Sequence, residues 1–278
     1  EQFAKLSLLS QQYQGLHAAS GTLGAGMKGD VRLAFLSIIF KSVGLPEQYH
    51  LARFVMWLKA EGVLPQVQEY VRLHAKAVGE QDAWQKELRN LYVSPILAAA
   101  LLQAFPDLAP SIAEVGKALR AQYPNVATIT NDEMVDAVMD ALARNGQLPL
   151  TLIVLDEVQQ FVGSDEDRAH VVQEVIETCC KDSAFKSKML FVATGQSALS
   201  DTPNLQRLMG RFVVKVQLAD TDVDAVIRKV ILQKKESAKP MIDSLIQTNL
   251  GEVTRHLRGS KFEHQRDDEK WMVADYPL

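Results

Sequence analysis

Apolar residues recur at three- and four-residue spacing through the first half of the chain, a pattern that predicts a succession of helices. The pattern covers residues 31–43, 47–61, 65–78, 82–91, 95–105 and 111–122, with turn signals containing Gly or Pro between most of them. Thr130 is then followed by acidic residues, as at a helix N-cap, and opens a further helix that runs to Arg144. We therefore expect residues 2–143 to be overwhelmingly helical.

A different pattern begins near residue 148. Residues 151–157 read TLIVLDE, in which four successive aliphatic residues lead to Asp156 and Glu157. Such a run predicts a strand buried on both faces of a parallel sheet, and these sheets place their chemistry at the carboxyl ends of the strands. This is the form of a Walker B element, in which the Asp holds Mg²⁺ beside the nucleotide phosphates and the Glu activates the attacking water.

A second apolar run, residues 189–193, follows a helix predicted over 168–180 and closes on Thr194, Gly195 and Gln196. Many ATPases place a polar residue at this point, at the end of the strand beside Walker B. The residue is called sensor 1 because its side chain contacts the γ-phosphate. Thr194 and Gln196 are therefore candidate nucleotide-binding residues.

Residues 205–218, LQRLMGRFVVKVQL, predict a short helix followed by an alternating strand. The helix carries Arg207 and Arg211, and an arginine before the last core strand of an AAA+-like ATPase often reaches a neighbouring subunit's nucleotide. Arginine suits this role because its planar guanidinium keeps a permanent charge. The alternative for each arginine is a solvated helix face or a carboxylate partner.

A phosphate-binding loop has the signature G-x-x-x-x-G-K-[ST], and the chain contains no Gly-Lys-Ser or Gly-Lys-Thr. The nearest candidate is residues 21–30, GTLGAGMKGD, where Met27 precedes Lys28 and Gly29 stands at the hydroxyl position. We interpret this segment as a flexible loop before the helix at Val31. The simplest interpretation is an internal piece of a longer protein, with a P-loop ahead of Glu1.

Composition is that of an ordinary soluble protein of 278 residues, with 47% hydrophobic and 23% charged residues. The net charge of -4 argues against a surface that coats DNA. The longest apolar segment, residues 96–105, is too short to span a bilayer, which favours a cytoplasmic location. Cys179 and Cys180 are adjacent and indicate neither a disulfide framework nor a metal site.

Three regions follow from these patterns. Residues 1–145 form a mainly helical region inserted in or flanking an NTPase core, and residues 146–218 form the core segment with Walker B and sensor 1. Residues 219–278 contain helices predicted over 223–235 and 239–257, which make a lid-like region, and then a polar connection. Arg255 is a weaker candidate for a lid sensor. The predicted fold class is α/β, a partial P-loop NTPase core of AAA+ or STAND type with a parallel sheet.

The chain resembles the large P-loop ATPase of BREX phage-defence systems, the BrxC/PglY family. The resemblance rests on LIVLDEVQQFVG (152–163), ATGQSAL (193–199), LQRLMGRF (205–212) and VQLADTDVDAVIRKVILQKK (216–235). ELRNLYVSP (87–95) and GLPEQYHLARFVMWLKAEG (44–62) extend it over nearly the whole chain. The family carries its P-loop near the amino terminus, ahead of the helical region, so the departure here is a truncation.

What the resemblance implies is an ATPase that hydrolyses ATP with Mg²⁺ inside a bacterial complex that methylates host DNA and blocks phage replication. The implied partners are a methyltransferase, an alkaline-phosphatase-like protein and small accessory subunits. Contact with DNA would come through the complex, and a homo-oligomer is an open alternative. Two rival interpretations are an inactive scaffold, with Asp156 and Glu157 only capping a strand end, and a DNA-binding module on the same fold.

Overall fold

The chain folds into two compact units, Glu1–Val213 and Val214–Leu278. The computed structural model describes residues 2–23, 29–75, 80–162, 165–195, 208, 210–216, 226–231 and 233–258. The first unit is mixed α/β, with many helices beside a small parallel sheet. The predicted α/β class is confirmed at this level. The region predicted as helical insertion (1–145) and residues 146–213 of the predicted core segment lie in the first unit, and residues 214–218 of that segment lie in the second.

The sheet has three strands in the order β1-β2-β3, and both strand pairs are parallel. The strands are β1 (Leu16–Thr22), β2 (Leu150–Asp156) and β3 (Met189–Ala193). The predicted strands at residues 151–157 and 189–193 are thus confirmed as β2 and β3. The register places Thr22 opposite Asp156 and Leu155 opposite Ala193, so the three strands end at the same edge.

Strand β1 corrects the prediction that residues 2–143 are overwhelmingly helical. Its sequence, LHAASGT, contains few β-branched or aromatic residues, and only Ala19 of the strand is fully buried. The backbone is extended because it hydrogen-bonds along β2, beginning with the Leu150 amide, which donates to the Gly15 carbonyl at 3.1 Å. Pairing with a strong neighbour therefore determines the conformation of this weak strand.

The helices of the first unit follow the predicted order, and their observed ends differ from the predicted ones by a few residues. The N-cap predicted at Thr130 is confirmed, and the structure adds a full capping box with Glu133 at the start of the eighth helix. The helices are α1 (Gln2–Gln12), α2 (Val31–Ser42), α3 (Tyr49–Ala60), α4 (Leu64–His74), α5 (Glu80–Arg89), α6 (Pro95–Ala104), α7 (Ile112–Gln122), α8 (Asn131–Leu142), α9 (Val158–Val162) and α10 (Glu166–Lys181).

Helix α2 is the centre of the hydrophobic core. It contacts β1 on one side and both α8 and α10 on others, and Phe35, Leu36, Ile39 and Phe40 are at most 1% exposed. A helix surrounded in this way must be apolar around most of its circumference, which explains the run LAFLSIIF. The helix thus links the sheet to the helices that follow it.

One face of the sheet is covered and the other is exposed. Ile153, Leu155 and Met189 are buried, whereas the residues that alternate with them on β2 and β3 are open to solvent. Leu190 is 50% exposed and Val192 is 45% exposed. Parallel sheets normally have both faces covered, so this apolar face is incomplete within the described residues.

The second unit contains a π-helix (Ile227–Ile231), a short 3₁₀-helix (Glu236–Ala238) and helix α11 (Lys239–Leu257). Helix α11 confirms the helix predicted over 239–257. The start of the helix predicted over 223–235 lies outside the described residues, and residues 227–231 wind as a π-helix. No helix of the described residues is both long and apolar enough to cross a membrane.

The alternating strand predicted within residues 205–218 is not formed at the described positions. Residues 212–216 adopt no regular structure, and Val213 is 99% exposed. An alternating sequence forms a strand only where a neighbouring strand can accept its backbone hydrogen bonds. No strand within the described part of the chain pairs with this segment.

Candidate functional site

The carboxyl ends of β2 and β3 bring Asp156 and Thr194 together. Leu155 pairs with Ala193 in the parallel register, so the next residue of each strand meets the other at the sheet edge. The Thr194 amide donates to the Leu155 carbonyl at 2.9 Å, which continues the ladder by one bond. The Thr194 hydroxyl donates to Oδ1 of Asp156. The predicted Walker B aspartate and the predicted sensor residue are therefore direct neighbours.

Glu157 turns the chain away from this edge. Its backbone amide donates to the Thr194 hydroxyl oxygen at 3.3 Å, and the Val158 amide donates to the Thr194 carbonyl at the same distance. Glu157 has φ 55°, in the left-handed region that disfavours non-glycine residues. Such conformations cost on the order of 1–3 kcal/mol and cluster at functional sites. The turn presents the two adjacent carboxylates at the end of the strand.

Helix α9, which begins at Val158 immediately after strand β2, anchors the turn. Val158, Phe161 and Val162 are each at most 3% exposed. This short helix therefore fixes the backbone that follows Glu157, while Asp156 itself is exposed. Gln159 Oε1 is buried and has no hydrogen-bond partner within the described residues, so it is an orphaned acceptor close to the strand end.

The oxygen atoms at the strand end suit a cation that a bound substrate also coordinates. The described residues contain no group of three or more His, Cys, Asp or Glu side chains able to hold a metal ion. Asp156 uses Oδ1 to accept from Thr194, and Oδ2 has no partner in the described part of the chain. Mg²⁺ is commonly bound by one or two carboxylates together with substrate phosphates and water, and this arrangement fits that pattern.

The other predicted site residues are not brought to this edge by any contact within the described residues. Arg211 pairs with Glu177 of α10, with 2.9 Å between Nε and Oε1, which is the carboxylate alternative for that arginine. Hydrogen bonds from Lys181 and Gln173, with the charges of Arg211 and Lys181, lower the pKa of Glu177. Arg255 lies in the last turn of α11, in the second unit.

Gln196 and Arg207 lie outside the described residues, so their predicted roles stay predictions.

The segment 21–30 is not one continuous loop. Gly21 belongs to β1, and a Cβ added there would come within 2.7 Å of the Ile38 side chain on α2. Position 21 therefore requires glycine, because strand β1 approaches helix α2 closely at this point. At the other end Asp30 caps α2 by accepting from the Arg32 amide. Residues 24–28 lie outside the described part of the chain.

Asp30 forms a polar junction that sequence reasoning missed. Its Oδ2 accepts from the Ile129 amide at 2.9 Å and from the Thr128 hydroxyl at 2.7 Å. Its Oδ1 accepts from the Arg32 amide at 3.0 Å and pairs with the Arg32 guanidinium at 3.2 Å. The Asp30 side chain is only 5% exposed. This carboxylate joins the start of α2 to the segment that precedes α8.

Arg32 extends the junction to a third helix. Its Nε donates to Asn131 Oδ1 at 2.6 Å, and its Nη2 donates to Glu174 Oε2 of α10 at 3.1 Å. Asn131 in turn donates to Glu174 Oε1 at 2.7 Å. The sequence shows an Asp directly before a helix, which predicts a helix cap. It does not indicate which distant residues the same carboxylate contacts. The junction holds α2, α8 and α10 against one another.

Compared with known proteins, the chain matches no family model, and no curated protein or solved structure matches it at a significant level.

Proposed function

We propose that this chain is the Walker B segment of an ATPase that acts within a BREX-type anti-phage complex, coupling ATP binding and hydrolysis to the complex. The observation that carries the proposal is the contact between Asp156 and Thr194 at the carboxyl ends of adjacent parallel strands. Ligands of open α/β sheets bind at this edge. Two residues that are 38 positions apart thereby form the arrangement expected of a nucleotide-sensing pair.

In this proposal each residue at the strand ends has a separate role. Asp156 would hold Mg²⁺ while its other oxygen accepts from Thr194, and Glu157 would position the attacking water. The left-handed backbone of Glu157 is compatible with this assignment, because such conformations cluster at functional sites. Gln196 lies two residues beyond Thr194 and would add a contact to phosphate. Arg207 would reach a neighbouring subunit, as would Arg211 once released from Glu177. Arg255 stays a candidate lid sensor of the second unit.

A phosphate-binding loop must complete the site. The chain has no Gly-Lys-Ser or Gly-Lys-Thr, so the proposal requires that loop from polypeptide beyond these 278 residues. The outer edge of β3 supports this requirement, since no strand pairs with it within the described residues. A parallel strand at that edge would end beside Thr194 and would present its loop to the same nucleotide.

The resemblance and the helical region support the wider role. Helices α2–α8 occupy the connection between β1 and β2, which is far longer than a parallel crossover requires. In the proposal these helices contact the implied partners of the complex, which are the methyltransferase, the alkaline-phosphatase-like protein and the accessory subunits.

The test uses the full-length protein with Asp156→Asn and Glu157→Gln, which preserve side-chain size. We expect Asp156→Asn to weaken Mg-ATP binding at least about tenfold, because the metal loses a charged ligand. We expect Glu157→Gln to retain binding while hydrolysis falls by about 10²-fold or more. Binding is measured with a fluorescent ATP analogue, and turnover by phosphate release. A phage-plating assay then reports whether each activity is needed for defence.

Asp167→Asn is the matched control, because Asp167 is an exposed acidic residue in the first turn of α10. It should leave both measurements unchanged. The 278-residue chain alone, without a phosphate loop, should bind Mg-ATP weakly and hydrolyse none. Equal turnover by the wild type and both strand-end variants would contradict the proposal.

A further inference from the structure

A cleft in the helical part of the first unit is a candidate binding site separate from the strand ends. It lies between α3 and the α7–α8 connection, and its volume is about 720 Å³, within the range of about 300–1,000 Å³ typical of ligand sites. Tyr49, Arg53 and Trp57 line it from successive turns of α3, and Tyr123 lines it from the connection. None of the residues that form the strand-end site contributes to it.

The cleft has a rigid aromatic wall. Trp57 stacks on Phe105 with 4.7 Å between ring centroids, and its ring lies 6.0 Å from that of Tyr123. Tyr123 also packs edge-on against Phe54 at 5.8 Å. These contacts fix the orientation of the rings that face the cleft, so the aromatic surface exists before any ligand binds.

Tyr123 presents a polar group to the cleft. The residue is only 9% exposed and lines the cleft, and its hydroxyl is not among the buried polar atoms that lack a partner in the described part of the chain, so the oxygen is open to the cleft. Burial raises the pKa of Tyr123 to about 12, with a smaller increase from Glu61 and an opposing effect of Arg53. The phenol is therefore neutral at pH 7 and can accept a hydrogen bond from a ligand in the cleft.

Negative charge surrounds the same space. Glu133 and Asp140 line the cleft from α8, and Asp136 lies between them in sequence and acts on Tyr49. Glu61 acts on Tyr123. Two carboxylates therefore line the cleft, and two more lie close enough for their charge to act on its tyrosines. The guanidinium of Arg53 among the lining residues already pairs with Asp140.

The remaining partners of the cleft do not neutralise this charge. Burial lowers the pKa of His50, so its ring adds no positive charge at pH 7. Glu133 accepts hydrogen bonds from the Thr130 amide and hydroxyl, which are neutral donors. The surplus of negative charge disfavours a phosphate or a carboxylate as ligand and favours a cation.

We propose that this cleft binds an arginine side chain presented by a protein partner. A guanidinium can stack on Trp57, pair with the carboxylates of α8 and donate to the Tyr123 hydroxyl at the same time. Lysine lacks the planar group that stacks and forms paired hydrogen bonds, so arginine is the better fit. This interaction is independent of the proposed ATPase activity, because it uses none of the strand-end residues.

The test measures the binding of fluorescein-labelled Gly-Arg-Gly-Arg-Gly-Arg-Gly by polarisation to the whole chain. The same peptide with citrulline removes the charge while keeping the shape, and the same peptide with lysine keeps the charge while removing the planar group. We expect the arginine peptide to bind at least tenfold more tightly than the citrulline peptide and more tightly than the lysine peptide. With Trp84→Phe and Trp271→Phe, Trp57 is the only one of the three tryptophans left, and its fluorescence should change on binding.

Two conservative substitutions locate the binding. Glu133→Gln keeps a side chain that can complete the capping box, and Asp140→Asn removes one exposed charge. The double variant should bind the arginine peptide at least tenfold more weakly than the wild type. The control Asp167→Asn removes a charge on α10 and should bind like the wild type, and circular dichroism checks that every variant is folded.

Equal affinity for the arginine and citrulline peptides would overturn the proposal, as would wild-type affinity in the double variant. Lysine binding as tight as arginine binding would overturn the assignment of arginine. A Trp57 signal that does not respond to a peptide that binds would place that peptide elsewhere on the protein. Loss of ATPase activity in the strand-end variants has no bearing on any of these outcomes, so the two proposals fail separately.

Discussion

The junction around Asp30 gives the most quantitative prediction of the fold. Asp30→Ala removes a carboxylate that is only 5% exposed and accepts four hydrogen bonds, one of which is its ion pair with the Arg32 guanidinium. Removing one partner of a buried ion pair typically costs about 3–5 kcal/mol, because the remaining charge and donors stay buried without compensation. Arg32 keeps Asn131 and Glu174 as partners, so we expect a cost near the lower end, about 3 kcal/mol.

Asp165→Ala is the matched control, because Asp165 also caps a helix by accepting from a backbone amide, at 3.1 Å. Its side chain is 49% exposed, and its pairing with Arg168 is a surface contact. Loss of an exposed cap costs about 1 kcal/mol, and a surface ion pair adds little. The two aspartates therefore differ mainly in burial and in the number of partners.

The assay is urea unfolding followed by tryptophan fluorescence. Trp271→Phe leaves Trp57 and Trp84, both in the first unit, as reporters. We expect the free energy of unfolding to fall by about 2 kcal/mol more in Asp30→Ala than in Asp165→Ala, the difference between the two costs given above. If the two substitutions cost the same, the reasoning from burial would be refuted.

The pH dependence of the Asp30 effect follows from the direction of its pKa. Burial acts to raise the pKa of Asp30, but the hydrogen bonds from Ile129, Arg32 and Thr128, with the charge of Arg32, lower it overall. A depressed carboxyl pKa stabilises the fold above the value of the unfolded chain, near pH 4. That stabilisation is lost as the pH falls through the lower folded-state value. The difference between wild type and Asp30→Ala should therefore shrink below about pH 4.

Two further predictions test packing and reactivity. Gly21→Ala should destabilise the first unit by about 1–3 kcal/mol in urea unfolding, because the added Cβ would lie 2.7 Å from the Ile38 side chain. Gly29→Ala is the control and should cost much less, because its Cβ would meet no atom within 4 Å. Ile38→Val should restore part of the loss, and an additive double variant would contradict this account. Of the two cysteines, only exposed Cys180 should react with an aromatic disulfide reagent at pH 8 in the folded protein, since Cys179 is fully buried and burial raises its pKa. Two thiols released without denaturant would show that the α10 packing is wrong.

Local sequence determined the elements that have a strong pattern of their own. The apolar runs of β2 and β3 predicted strands at the observed positions, and the Thr130 sequence predicted the N-cap that opens α8. The carboxyl ends of β2 and β3 were predicted to hold functional residues, because neighbouring parallel strands end at the same edge of a sheet. The pairing of Asp156 with Thr194 was predictable to this extent, since adjacent parallel strands in register bring their next residues together.

Tertiary structure decided the remainder, because the interactions concerned connect residues far apart in the chain. β1 has a weak strand sequence and is extended through its ladder with β2, whereas residues 212–216 have a strong strand sequence and are irregular where no described strand pairs with them. Asp30 reads locally as a helix cap, yet its hydrogen bonds reach about 100 positions away. A pattern of apolar residues encodes which face is buried, but backbone pairing and polar partners are fixed only when separate segments meet in the folded chain.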